Sequence, residues 1–265
     1  MTQASAPHHL PTLEVFQFPC LDDNYGYLIR DREAGICASV DTPSAAAVEA
    51  ALAETGWKLD FIFNTHHHED HTGGNLELKA RTGCRIVGPR ADAARIPGID
   101  QQVGEGDVIA LGRHRARVLD TPGHTRGHIV YVFDEDQAVF VGDTLFSMGC
   151  GRLFEGTPEQ MWTSLQKLRR LPDPMRVFCA HEYTQKNAHF AIGLEPDNAD
   201  LRERVAEVDQ LRELDMPTVP STIGRERLTN PFLRPDSPEL QATLGLSGAA
   251  LVEVFAETRR RRNEF

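Results

Sequence analysis

Thr65-His66-His67-His68-Glu69-Asp70-His71-Thr72-Gly73-Gly74-Asn75 sets four imidazoles and two carboxylates into six consecutive positions, directly after the apolar run Leu59-Asp60-Phe61-Ile62-Phe63. Packing alone does not ask for such a segment. Neutral imidazole nitrogens and ionised carboxylates are ligands that suit zinc, iron or manganese, so their density argues for a metal site at a strand end. Alternate side chains of an extended segment share a face, which expects His66, His68 and Asp70 to point one way and His67 the other. A solvated, histidine-rich loop is the plain alternative, and the rest of the chain weighs against it.

Upstream, Leu13-Val15-Phe16-Phe18, Tyr25-Tyr27-Leu28-Ile29 and Ile36-Cys37-Ala38-Val40 are apolar runs separated by polar turns, the pattern of short antiparallel strands. Asp41-Thr42-Pro43-Ser44 signals a helix start before an Ala-rich stretch that Gly56 stops. Downstream, strands are expected at Cys84 to Gly88, Val108 to Leu111, Arg115 to Leu119, Ile129 to Phe133 and Ala138 to Val141, with a helix over Asn75 to Thr82. Four strands then end on loops that carry possible ligands: His66, His68, Asp70 and His71; His124; Asp143; and His181. Ligands on loops at the ends of packed strands suit a rigid scaffold that presents a site.

The composition is that of an ordinary globular protein: 265 residues, 40% hydrophobic and 25% charged. That length permits one large domain, or a large domain with a smaller one. A net charge of -11 and a pI near 5.5 disfavour nucleic acid or an anionic membrane as partner, although Arg259-Arg260-Arg261-Arg262 runs against the overall sign. Five scattered cysteines without a C-x-x-C pair argue against a disulfide framework and for a reducing, cytoplasmic setting. Residues 1–12 read as a loose tail in which His8 and His9 have no role, with no leader pattern and no apolar span. Beyond about residue 188 the chain turns helical, with stretches at Glu195 to Leu214, Pro238 to Leu244 and Ser247 to Arg260. The expected division is therefore a catalytic domain over 13–188 and a helical domain over 189–265.

The ligands assemble into two trios. His66, His68 and His124 form one, Asp70, His71 and His181 the other, and Asp143 is left to bridge them. Three protein ligands per metal leave a position open for water, and two metals ~3.5–4 Å apart can share a hydroxide and polarise a carbonyl. Such a site hydrolyses its substrate. The spacing does not fit the His-Glu-x-x-His helix of zinc peptidases, which expects the cluster to be a loop.

Thr65-His66-x-His68-x-Asp70-His71, Thr121-Pro122-Gly123-His124-Thr125, Gly142-Asp143-Thr144-Leu145-Phe146 and Ala180-His181-Glu182-Tyr183-Thr184 together resemble the metallo-β-lactamase superfamily. Within it they resemble glyoxalase II, the hydroxyacylglutathione hydrolases. The resemblance implies an α+β fold, the four-layer αββα sandwich with a C-terminal helical domain, and a dinuclear site in which Asp143 holds a bridging hydroxide. Gly149-Cys150-Gly151-Arg152-Leu153-Phe154 is similar to the family's glutathione loop, with Arg152 at its basic position and Phe154 where tyrosine is common. It further implies substrate contacts from Tyr183, and from Arg259 and Arg262 gripping a glutathione carboxylate. The implied reaction is hydrolysis of S-(2-hydroxyacyl)glutathione thioesters, S-D-lactoylglutathione to D-lactate and glutathione, in methylglyoxal detoxification. The implied cofactor is two divalent ions, zinc foremost, with iron and manganese also suited to the donors. A cytoplasmic monomer without nucleic-acid or membrane partner is expected.

Three other readings compete, among them a β-lactamase, RNA-processing nuclease or lactonase, of which a nuclease is expected to carry a basic face that this chain lacks. A mono-iron glutathione persulfide dioxygenase on the same fold also resembles Gly149-Cys150-Gly151-Arg152, but His181-Glu182-Tyr183-Thr184 and the long helical C-terminus favour the hydrolase. A structural zinc protein would be expected to use closed, Cys-rich sites, and no cysteine is placed as a ligand.

Overall fold

The computed structural model describes residues 7–9, as backbone, and 13–265. Packing divides the chain into two compact units, Met1–Asp120 with Thr125–Gly142, and Thr121–His124 with Asp143–Phe265.

The first unit contains a seven-stranded sheet whose strands neighbour one another in chain order: β1 (Pro7–His9), β2 (Leu13–Cys20), β3 (Asn24–Asp31), β4 (Ile36–Val40), β5 (Leu59–Phe63), β6 (Arg85–Pro89) and β7 (Gln101–Val103). Pairing is antiparallel as far as β4, where short turns suffice, and parallel from β4 to β7. Parallel neighbours need crossovers, and helices supply the first two: α1 (Ala45–Thr55) between β4 and β5, then α2 (Glu69–Thr72) and α3 (Asn75–Thr82) between β5 and β6. The Ser44 side chain caps α1 by accepting from the Ala47 amide, and Gly56, at φ +70°, ends it as expected. Val48 and Ala51 of α1 and Leu78 of α3 bury against Phe16, Phe18, Leu28, Ile62 and Ile86 of the sheet.

An antiparallel meander, β8 (Val108–Leu111), β9 (His114–Asp120), β10 (Ile129–Phe133) and β11 (Ala138–Gly142), supplies a second layer of strands. It packs on the first sheet through Tyr27 against Phe140 (5.6 Å between ring centroids) and Phe63 against Tyr131 (5.5 Å). Every residue of β10 and β11 is buried, so both read as unbroken apolar runs. The unit is thus a helix layer on two sheets.

The second unit holds the hairpin of β12 (Leu145–Phe146) and β13 (Gly149–Cys150), and helix α4 (Pro158–Arg169), whose Thr157–Gln160 capping box and leading Pro158 define its start. It continues through β14 (Arg176–Cys179), α5 (Thr184–Leu194), α6 (Ala199–Glu213), β15 (Ser221–Thr222), which pairs antiparallel with β14, α7 (Ile223–Thr229), α8 (Pro238–Leu244) and α9 (Leu251–Glu264). Met148, Ala188, Ala191, Leu201 and Val208 form one core of this unit, and Phe190, Phe232 and Phe255 form an aromatic run with centroids 6.3 and 6.0 Å apart.

Two expectations change. The loose tail lies outside the described residues except at Pro7–His9, which pairs with Glu14 to Phe16 as an edge strand. Helix α6 starts at the Asn198 cap rather than at Glu195. Glu195 is instead fully buried, where Arg234 and Ser237 donate to its carboxylate; a buried charge persists only when so paired.

A candidate metal centre

Each unit carries one set of donors. In the first, β4 and β5 run parallel and their carboxyl ends lie side by side, so Asp41 after β4 meets Thr65 after β5. The Thr65 amide and hydroxyl each donate to the Asp41 carboxylate at 2.8 Å, and His71 Nδ1 lies 2.8 Å from it. His66 Nδ1 lies 3.1 Å from Thr65 Oγ1. With the Nδ1 protons of His66 and His71 so placed, the Nε2 lone pairs of both face the other way.

The chain then departs from the expected loop. Glu69–Thr72 closes a single helical turn with His68 as its N-cap, and backbone bonds from His71 and Thr72 to the His68 carbonyl hold it. Strand alternation therefore ends at His68, and Asp70 and His71 are placed by helical geometry instead. Two close pairs result: His66 Nε2 to His68 Nδ1 at 3.1 Å, and Asp70 Oδ2 to His71 Nε2 at 3.5 Å. His67 does face elsewhere. Its Nδ1 lies 3.2 Å from the buried Asp92, and Arg95 donates to its Nε2 at 3.0 Å.

In the second unit Asp143 stands between two imidazoles. Its Oδ2 lies 3.3 Å from His124 Nε2, and its Oδ1 lies 3.4 Å from His181 Nε2. His124 donates Nδ1–H to the Arg152 carbonyl at 2.9 Å, which leaves Nε2 as the electron-pair donor. The His181 ring is parallel to Tyr183 at 4.8 Å, with Phe146 edge-on to both.

These donor sets fit metal ions. Ligands ~2.0–2.2 Å from a tetrahedral ion stand roughly 3.3–3.6 Å from one another, which is the spacing of three of the four pairs and close to that of the fourth. His66, His68, Asp70, His71, His124, Asp143 and His181 all belong to three-donor groups able to hold an ion, so the chain carries His/Asp metal-binding groups.

Sequence reasoning passed over two residues of this region. In the sequence Asp41 reads only as part of a helix start, because its role depends on a contact across strands. His128 is fully buried and stacks on His66 at 4.8 Å; its signal was proximity to His124 in the same loop.

The residues expected to meet substrate lie in the second unit. Phe154 is 62% exposed, with its ring edge-on to His124 at 5.2 Å, and Arg152 is exposed. Arg262 donates to Asn187 Oδ1 at 3.0 Å and sits over the rings of Phe190 and Phe265. Arg259 is almost fully buried, where it donates to the Cys150 carbonyl at 2.8 Å and covers Phe232. Burial, together with the charges of Arg259 and Arg152, holds the Arg262 guanidinium below its ordinary pKa. Cations brought together at such cost favour an anionic ligand.

Fold and donor sets define the class: an α+β metallo-β-lactamase fold with a C-terminal helical region. The metallo-β-lactamase superfamily model matches residues 33–181, and the model described as hydroxyacylglutathione hydrolase C-terminus matches 182–265. Relatives named hydroxyacylglutathione hydrolase include one from Methylococcus capsulatus (strain Bath), 56% identical over 96% of this chain and 99% of its own. Another, from Rhodospirillum rubrum, is 55% identical over 97% and 100%. Among solved structures, ETHE1 from Myxococcus xanthus is similar at TM-score 0.68 and 26% identity, over 94% of this chain and 91% of that one. The chain belongs to the hydroxyacylglutathione hydrolase family. The four-layer αββα architecture expected from the sequence is the fold of this family.

Proposed function

We propose that the protein is a thioester hydrolase that cleaves S-(2-hydroxyacyl)glutathione, converting S-D-lactoylglutathione to D-lactate and glutathione; relatives named hydroxyacylglutathione hydrolase support the substrate class. The observation that carries this reading is the near full-length identity above 50% to hydroxyacylglutathione hydrolases, joined to a complete His/Asp donor complement. His66, His68 and His124 would hold one divalent ion, and Asp70, His71 and His181 the second, with Asp143 shared. Asp143 already offers one oxygen toward each of two imidazoles, the posture of a shared carboxylate. Zinc is proposed, since imidazole and carboxylate donors suit it. A pair of divalent ions, when bound, supplies a nucleophile from water at neutral pH and polarises a carbonyl.

The chain's own residues bind, orient and release. Arg152, Arg259 and Arg262 gather positive charge in a protein of net charge -11, and the carboxylates of glutathione are suited to guanidinium forks. Phe154 and Tyr183 offer aromatic walls beside His124 and His181. A thiol leaving group with pKa about 8.5 departs as thiolate, so no strong general acid is needed. The corresponding modules would be residues 13–188 for catalysis and 189–265 for glutathione binding; the two family models meet a few residues earlier, at 181 and 182. A cytoplasmic monomer belongs to the same proposal. The five free, buried cysteines support the reducing compartment in that reading.

The test is hydrolysis of S-D-lactoylglutathione by the wild type, Asp143→Ala and Arg262→Ala. Asp143→Ala should lose bound metal and turnover together, by about 10³-fold or more, since one substitution removes a donor from both ions. Arg262→Ala should raise KM with kcat little changed. Thioester cleavage unaffected by either substitution would remove the assignment. The persulfide dioxygenase reading is not favoured, because the strongest identities are to named hydrolases whereas the ETHE1 likeness is 26% identical.

A further inference from the structure

Glu226 is fully buried in α7, and burial raises its pKa. No cation lies within ion-pair reach of its carboxylate among the described residues. Instead Ser221 Oγ donates to one oxygen, while the Met148 amide (2.8 Å) and Asn230 Nδ2 (2.9 Å) donate to the other. Met148 is the residue that needs holding. It lies between β12 and β13 with φ +53°, the left-handed region that residues bearing a side chain rarely adopt.

The same hairpin is gripped all along its backbone. Asn230 Nδ2 also reaches the Phe146 and Gly149 carbonyls at 3.1 and 3.0 Å, and Asn187 donates to the Ser147 carbonyl at 3.0 Å. Arg259 takes the Cys150 carbonyl. A side chain at Gly149 would run into the Asn187 amide, 2.3 Å from where a Cβ would stand. Directly beyond Cys150 the chain becomes Gly151 and Arg152. The Arg152 carbonyl orients His124, and its guanidinium adds to the positive field at Arg262.

We infer that Glu226, with Asn230, is a positioning residue for substrate binding: it fixes the backbone of residues 146–150 in the strained form from which Arg152 is presented to the substrate carboxylate. This rests on the reading of Arg152 as a glutathione contact. The buried carboxylate is the suited group because one oxygen must accept from two donors, Met148 N and Asn230 Nδ2, while the other accepts from Ser221. A glutamine can supply only one accepting oxygen and turns donors toward the rest.

The experiment compares the wild type with Glu226→Gln, Arg152→Ala and the double variant, each loaded with zinc. Two substrates are used: S-D-lactoylglutathione, and S-lactoyl-N-acetylcysteamine, a thioester without carboxylates. Glu226→Gln should raise KM for the glutathione thioester by roughly three- to tenfold, a larger loss of kcat/KM than on the neutral thioester, which feels only the disturbed hold of the Arg152 carbonyl on His124. Its effect should vanish in the Arg152→Ala background, because two residues acting through one contact are not additive. Additive effects, an unchanged KM, or equal loss on both substrates would each overturn the inference. Amide exchange at Met148 gives a readout independent of turnover: it should quicken in Glu226→Gln and in Asn230→Ala, and unaltered exchange in both also overturns it. If the wild type fails to cleave the glutathione thioester while Met148 exchange responds as expected, the fault lies with the functional reading and not with the clamp.

Discussion

Asp41 shows how much of a metal site lies outside its ligands. Its carboxylate accepts from Thr65 twice and meets His71 Nδ1, and through Thr65 it reaches His66 as well. One buried side chain thereby sets the orientation of a proposed ligand of each ion. Asp41→Asn, which keeps the size and the tolerance for φ +56°, should weaken metal retention and turnover by about 10- to 100-fold. Metal content after dialysis against a graded chelator checks this, and full retention would show that Thr65 and the backbone suffice. The ligand types and their order were legible in the sequence, since chemistry is carried by residue identity. Asp41 was not, because nothing in Asp41-Thr42-Pro43-Ser44 distinguishes an orienting carboxylate from the start of a helix.

At the scale of elements, strands β2 to β6, β8 to β11 and β14, with α1 and α3, were legible from period and punctuation, and Ser44 and Gly56 bound α1 where expected; the two- and three-residue strands were not. The turn α2 was not. Four residues carry no period of their own, and this turn is held by bonds to the His68 carbonyl and by the abutment of Gly74 on Thr42 and Ala45. Helix α5 was also missed, its polar residues being recruited inward, as Asn187 is. The aromatic run Phe190–Phe232–Phe255 ties α5 and α9 together and lies under Arg259. Phe232→Ala should cost about 3–5 kcal/mol in urea unfolding, the usual loss for a buried phenyl ring. It should also raise KM, because the ring backs Arg259; a stability loss with KM unmoved would detach that ring from substrate binding.

For the molecule as a whole, the five cysteines give a pH signature. Burial pushes Cys20 up from 9.0 to about 12 and Cys150 to about 11, and raises Cys37, Cys84 and Cys179 as well. Between the unfolded and folded values the folded chain keeps protons that the unfolded chain sheds, so stability falls as pH rises through that window. Each such thiol contributes a slope of about 1.4 kcal/mol per pH unit. Urea midpoints should be steady up to about pH 8.5 and drop between roughly pH 9 and 11. A midpoint that holds or rises over that range would mean the thiols are exposed. What the sequence by itself determined was local chemistry: where the longer strands and the most periodic helices form, which imidazoles and carboxylates are available, and which family pattern they compose. Tertiary structure decided the rest: that His67 turns to Asp92, that Asp41 and Arg152 fix the imidazoles, and that a buried Glu226 holds the loop before Arg152. The physical reason is range. Periodicity and ligand type are set within a few residues, whereas each of these contacts joins positions 24 to 78 apart, and only packing brings such positions together.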